Sequence, residues 1–179
     1  MMKGYAGRVL EINLSNRTYS YEPLDEEIAS LYIGGKGYGT RLLYDRTDAG
    51  IDALSPDNPL IFATGPLNGS VAPQSNRFAV VCKSPLTGGI GNATCGGSFA
   101  YAMKRSGIDV VVVSGRSERP VRIEIDGKTD EIEFIDAADL WGKGTYETQS
   151  ILGKKKKHAV IGPAGEIACS TQASSRMNE

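Results

Sequence analysis

Two glycine-rich segments carry the residue types that could do chemistry in this chain: 65–77 (GPLNGSVAPQSNR) and 88–97 (GGIGNATCGG), the first of them closed by Arg77. Glycine lets a backbone come close to a ligand, and a guanidinium offers a planar fork of donors suited to phosphate. If a helix follows the second segment, its first N–H groups point outward with a partial positive charge. Together these groups suit an anionic cofactor. They also suit a plainer role, in which the glycines make tight turns between strands and Arg77 pairs with a nearby carboxylate. The pattern alone leaves both open.

Other chemistries find little support. Cys82, Cys95 and Cys169 lie far apart with no CxxC pair, and His158 is the sole histidine, so no zinc or iron–sulfur site can be read. No histidine lies near a candidate serine or cysteine nucleophile, no GxxxxGK[ST] segment occurs, and the acidic residues show no metal-binding spacing. The GKGYG stretch at 35–39 imitates part of a dinucleotide-binding fingerprint, but a predicted helix precedes it where that motif needs a strand. It reads instead as a helix end and a reversal.

A formal net charge of −1 argues against a nucleic-acid partner, and the basic run Lys154–Lys157 reads as a solvated segment. No stretch is apolar enough to span a bilayer, and the N-terminus lacks the apolar run of a secretory signal. A soluble, cytoplasmic protein is expected.

The elements that would position the two segments follow from periodicity. Alternation over 7–14 and 18–22 around a turn at 15–17 predicts a β-hairpin. Asp25 can cap a short helix that runs to Leu31 or Tyr32, with Glu26 and Glu27 in its first turn. A second short helix is predicted over 40–46 with Leu42 and Leu43 facing inward. Strands are predicted at 60–64, 77–83 and 109–114, the last central because of its four valines. Segments 65–77 and 91–97 read as loops that flank one strand and could converge on one ligand. Ser98 is a plausible cap for a helix to Ser106 that Gly107 ends, and 120–125 with 131–135 reads as another hairpin. Further helices are expected over 136–141 and 144–152. The strand-then-Gly-Pro pattern at 159–163 echoes 60–66 as a weak pseudo-repeat. The fold class is therefore mixed α/β (α+β), with two β-sheets and several short helices.

The order of segments resembles the aldehyde ferredoxin oxidoreductase family. The resemblance runs through GRVLEINLS at 7–15, YIGGKG at 32–37, LSPDNPLI at 54–61, ATGPLNG at 63–69, Asn76 and Arg77, and KSPLTG at 83–88. It continues through Gly96 and Gly97, Gly107, WGKG at 141–144 and IGPAGE at 161–166. It covers nearly all of this chain but only about the first third of such an enzyme.

The resemblance implies that residues 1–179 are one tungstopterin-binding N-terminal domain, a fragment of a longer oxidoreductase. It implies a bis-molybdopterin cofactor whose dithiolenes hold tungsten or molybdenum, a magnesium ion bridging the phosphates, and a [4Fe–4S] cluster in the later part of the enzyme. It implies Arg77 as the pterin-contacting arginine, with Asn76 beside it. Thr94, Cys95, Gly96 and Gly97 correspond to a loop that approaches the pterin and magnesium, the magnesium through the Thr94 backbone. Family members often have Asn where Thr94 stands. The implied activity is oxidation of aldehydes to carboxylates with ferredoxin as acceptor, completed by further domains or a complementary subunit, and a homo-oligomer is compatible with it. The alternatives are a non-catalytic metallopterin-binding subunit or carrier, and a truncated remnant. The ending at 174–179, with neither cap nor strand, reads as an interruption.

Overall fold

The computed structural model describes residues 2–166. Alternation places β1 (Arg8–Asn13) and β2 (Thr18–Pro23) as an antiparallel hairpin. Its turn is closed by Asn13, whose Oδ1 accepts from the Ser15 and Asn16 amides at 2.9 and 3.4 Å. Leu10 and Ile12 face one core while Val9 faces another, so β1 is buried on both sides.

Six strands form one sheet in the order β2-β1-β6-β3-β4-β5. The valine-rich β6 (Val110–Ser114) takes a central place, parallel to β1 and antiparallel to β3 (Leu60–Ala63). A strand covered on both faces needs apolar residues at successive positions, which explains its continuous run. β4 (Phe78–Lys83) and the edge strand β5 (Ile90–Cys95) complete the sheet in antiparallel fashion. A second sheet is the two-stranded hairpin of β7 (Val121–Asp126) and β8 (Glu131–Asp136). The mixed α+β class with two β-sheets and short helices is thus observed, and parallel and antiparallel pairings both occur.

One face of the large sheet is covered by α1 (Glu26–Tyr32) and α2 (Gly35–Arg46), through Tyr38, Leu42 and Leu43. The other carries α3 (Ser98–Arg105) and the β7–β8 hairpin, with Met103 and Ile132 set against Leu10, Ile12 and Val111. α4 (Thr145–Leu152) and the short α5 (Pro163–Glu166) follow. Lys154–Lys157 are exposed.

Four local expectations are corrected. Residues 35–39 are the first turns of α2 and not a reversal. Tertiary packing overrides the poor helix propensity of glycine here: a Cβ on Gly39 would meet Val81 Cγ2 at 2.9 Å, so the bare α-carbon lets α2 lie close on β4. Residues 91–95 are strand and not loop, because Gly91 can approach the Cys82 carbonyl, 3.2 Å from where its Cβ would be, and an edge position tolerates Asn and Thr. Residues 136–141 form no helix: β8 runs to Asp136 and turns follow from 138, since the Ala137 amide is committed to the Pro120 carbonyl at 3.0 Å and Leu140 bonds back to Ala137. Segment 159–161 forms no strand beyond a single bridging residue, Val160, so the pseudo-repeat finds no structural counterpart. Cys169 and the chain ending at 174–179 lie outside the described residues.

Candidate functional site

The two glycine-rich segments meet at one end of the large sheet. β3 leaves the sheet at Thr64, segment 65–77 returns the chain to β4, and β5 ends opposite the start of β4, with Cys95 paired to Phe78. Arg77 and Gly96 are therefore the next facing positions beyond the ladder. A Cβ on Gly96 would stand 3.9 Å from Arg77 Cγ, and only Gly96 and Gly97 link β5 to α3.

Arg77 is exposed, and its guanidinium makes no hydrogen bond or ion pair with any described residue. The carboxylate partner of the plainer reading is not among them. Around it two helices open toward the same end. α3 starts directly after Gly97, which has φ +103° and provides no side-chain cap; Ser98 is its first helical residue and not its cap. α2 starts after Gly34, also without a side-chain cap. Its entry is pinned to the site segment, since Gly35 N donates to the Thr64 carbonyl at 2.9 Å and a Cβ on Gly34 would lie 2.8 Å from Gly65 Cα. The start of α3, without a side-chain cap, at the same end of the sheet as an arginine that has no partner among the described residues, favours negative charge.

Segment 65–77 is held from inside. Asn68, 4% exposed, accepts from Gly65 N at 2.6 Å and donates to the Ser75 and Arg77 carbonyls at 2.8 and 3.0 Å. Asn76 turns its Oδ1 back onto Gly69 N at 3.0 Å.

The remaining candidates separate by face, because residues directly opposite in an antiparallel pair point the same way. Thr94 pairs with Ala79, so it sits on the α2 face, and it is exposed. Cys95 pairs with Phe78 and joins the aromatic cluster of Phe62, Phe78 and Phe99 on the α3 face. Its thiol donates to the Gly96 carbonyl at 3.4 Å. Cys95 is therefore a strand residue in an apolar seat. Cys82 is half-buried and burial pushes its thiol pKa up, which makes it a poor nucleophile.

Sequence reasoning missed the α2 N-terminus and the exposed Lys36 in its first turn, because the glycines hid the helix. The signal was the i, i+4 spacing of Tyr38 and Leu42, which carries the apolar stripe back into the glycine run. Among the described residues, no three His, Cys, Asp or Glu side chains come together to hold a metal ion. His158 places Nε2 3.0 Å from the Gly153 carbonyl and stands apart in a loop contact.

A family model described as "Aldehyde ferredoxin oxidoreductase, N-terminal domain" matches residues 9–178. The chain belongs to the aldehyde ferredoxin oxidoreductase family. It is 44% identical over 170 residues to a tungsten-containing aldehyde ferredoxin oxidoreductase of Pyrococcus horikoshii, covering 92% of this chain and 28% of that protein. A protein of the same name from Pyrococcus furiosus is 45% identical with the same coverage. Among solved structures, the active site complex BamBC of benzoyl coenzyme A reductase with 1,5-dienoyl-CoA superposes with a TM-score of 0.88 at 34% identity. That match covers 93% of this chain and 26% of the other. The chain thus spans little more than a quarter of these aldehyde ferredoxin oxidoreductase relatives, and the family match includes both segments of the site.

Proposed function

We propose that this chain is the cofactor-binding N-terminal part of a tungsten or molybdenum bis-pterin oxidoreductase that oxidises aldehydes to carboxylates and passes the electrons to ferredoxin. The observation that carries the reading is Arg77, without a partner among the described residues and set opposite Gly96 at the start of α3, which has no side-chain cap, in a member of this family.

The residues present fit such a group. A phosphate-bearing pterin asks the protein for donors and for close backbone approach, and these are what the end of the sheet offers. When bound, the group supplies the redox chemistry and its own sulfur ligands for the metal, so the protein needs no cluster of Cys or His ligands. Arg77 would bind the anionic arm, and Gly96 and Gly97 would let the chain approach it. Thr94 would offer its carbonyl to magnesium, and Asn76 would hold the turn beside the arginine. Cys95 would act through its backbone, since its side chain belongs to the apolar cluster. The [4Fe–4S] cluster, the ferredoxin contact and the substrate channel would belong to further domains or a complementary subunit, and the enzyme would work in the cytoplasm. Among the described residues, no helix is long and apolar enough to cross a membrane.

The test is tungsten, molybdenum and pterin content of the chain after anaerobic purification from a tungstate-supplied host that makes the cofactor. The parent is expected to retain pterin and metal, and Arg77→Ala to lose most of both with unchanged circular dichroism, because a charge-assisted contact is lost. Equal pterin content in the two proteins would sink the assignment.

A further inference from the structure

Segment 65–77 contains no helix or strand, yet it must deliver Arg77 to one place at the end of the sheet. A connection of that length normally costs ordering entropy and samples several conformations. Here a single buried side chain closes it. Asn68 lies near the start of the segment and reaches across to its end, with its oxygen on Gly65 N–H and its amide nitrogen on both the Ser75 and Arg77 carbonyls. The orientation of that amide follows from the chemistry of its partners, since an N–H needs an acceptor and two carbonyls need a donor. No other side chain of this size serves both: Asp lacks the donors, and Leu lacks both functions.

The Arg77 side chain has no partner among the described residues, so its placement falls to the backbone. The Arg77 carbonyl is held by Asn68, and the next residue, Phe78, is 1% exposed at the start of β4. The middle of the segment is anchored as well. Gly69, at φ +77°, lies against Lys104, 3.1 Å from Lys104 Cγ to where its Cβ would be, and Lys104 is in turn paired with Asp109.

We propose that Asn68 is a positioning residue that presets Arg77 for a phosphate-bearing ligand, so that binding does not have to order the segment. The proposal rests on the cofactor-binding reading above and adds to it a residue that touches no ligand.

A double-mutant cycle on the full chain tests it, with pterin retained per chain as the readout in parent, Asn68→Ala, Arg77→Ala and the double variant. Asn68→Ala is expected to lower retention about tenfold, as loss of well-placed hydrogen bonds does, and to lower it no further once Arg77 is gone. Hydrogen exchange supplies a second readout that needs no ligand: the Gly65 amide is expected to lose protection in Asn68→Ala while β4 and β6 keep theirs. An equal loss of pterin in both backgrounds would show that Asn68 acts only through general stability and would overturn the proposal. Unchanged Gly65 protection would overturn it as well. Should Asn68→Ala fail to fold, Asn76→Ala frees only the Gly69 amide and enters the same cycle, with additivity again the overturning result. The two readings fail differently. Parent-like retention in Arg77→Ala defeats the cofactor assignment, whereas parent-like retention in Asn68→Ala beside a depleted Arg77→Ala defeats only the role of Asn68.

Discussion

The amide of Gly7 donates to the carboxylate of Asp109 at 2.6 Å across 102 positions of sequence. The Ala6 amide donates to the other oxygen at 3.1 Å, and the Lys104 ammonium pairs with the same carboxylate, so one side chain joins the N-terminal segment, α3 and the start of β6. The Asp109 and Lys104 side chains are 2% and 9% exposed. Removing one partner of a buried pair leaves the other charge stranded, which typically costs about 3–5 kcal/mol. Asp109→Ala is therefore expected to lower unfolding free energy by an amount in that range, read from urea denaturation. A loss below about 1 kcal/mol would show that water replaces the pair.

Gly34 is predicted to be intolerant for a steric reason alone. Its φ of 170° is extended backbone open to any residue, but a Cβ would lie 2.7 Å from the Thr64 carbonyl oxygen and 2.8 Å from Gly65 Cα. Neither contact ends in a flexible side chain, so Gly34→Ala must push α2 away from the site segment. A destabilisation of about 1–3 kcal/mol is expected, together with shifted amide resonances of Gly65. An unchanged melting temperature would contradict the close approach.

The bidentate pair of Arg8 and Asp130, at 2.8 and 2.9 Å, holds the Asp130 carboxyl below its ordinary pKa, chiefly through the hydrogen bonds from Arg8. Arg8 also donates to the Gly107 and Ser106 carbonyls, so it fastens the β7–β8 turn to the end of α3. A carboxylate with a depressed folded pKa stabilises fully above its unfolded value, near 3.8, and that contribution disappears as pH falls through the folded value. Asp130→Asn should therefore lower the melting temperature at neutral pH and flatten the acid limb. The two profiles should converge below the depressed pKa. Parallel profiles down to the lowest pH would show that the pair is not linked to folding.

Thr40 buries its hydroxyl oxygen without a hydrogen-bond partner among the described residues, in the groove between α2 and Ile90 of β5. A buried unpaired polar group costs about 1–3 kcal/mol, and valine has nearly the same shape. Thr40→Val is expected to match or exceed the parent in thermal stability. A clear drop in melting temperature would mean that the hydroxyl has a bonding role.

Much of the frame was readable because the signals are local. The turn at 15–17, the valines of β6 and the cap at Asp25, whose Oδ1 accepts from Ile28 N at 2.9 Å, each sit within a few residues of what they determine. The glycines of α2 and β5 misled for the opposite reason. Their meaning lies in what a missing Cβ permits against another element, and Val81 and the Cys82 carbonyl are distant in sequence from Gly39 or a strand away from Gly91. At the site, Arg77 and Gly96 were indicated by family resemblance, and the structure sets them side by side. Asn68 escaped notice because its partners are backbone groups, which no residue letter announces. Lys36 escaped because the helix that presents it was hidden.

The place of β6 between β1 and β3 has a consequence during synthesis. The N-terminal hairpin and the β3-β4-β5 meander each lack a neighbour until residues 110–114 arrive. At typical elongation rates of roughly 5–20 residues per second, the hairpin waits several seconds with β1 unpaired on one side. Two half-sheets with open edges then close around one late strand, which makes the nascent chain most vulnerable to wrong pairing just before that strand leaves the ribosome.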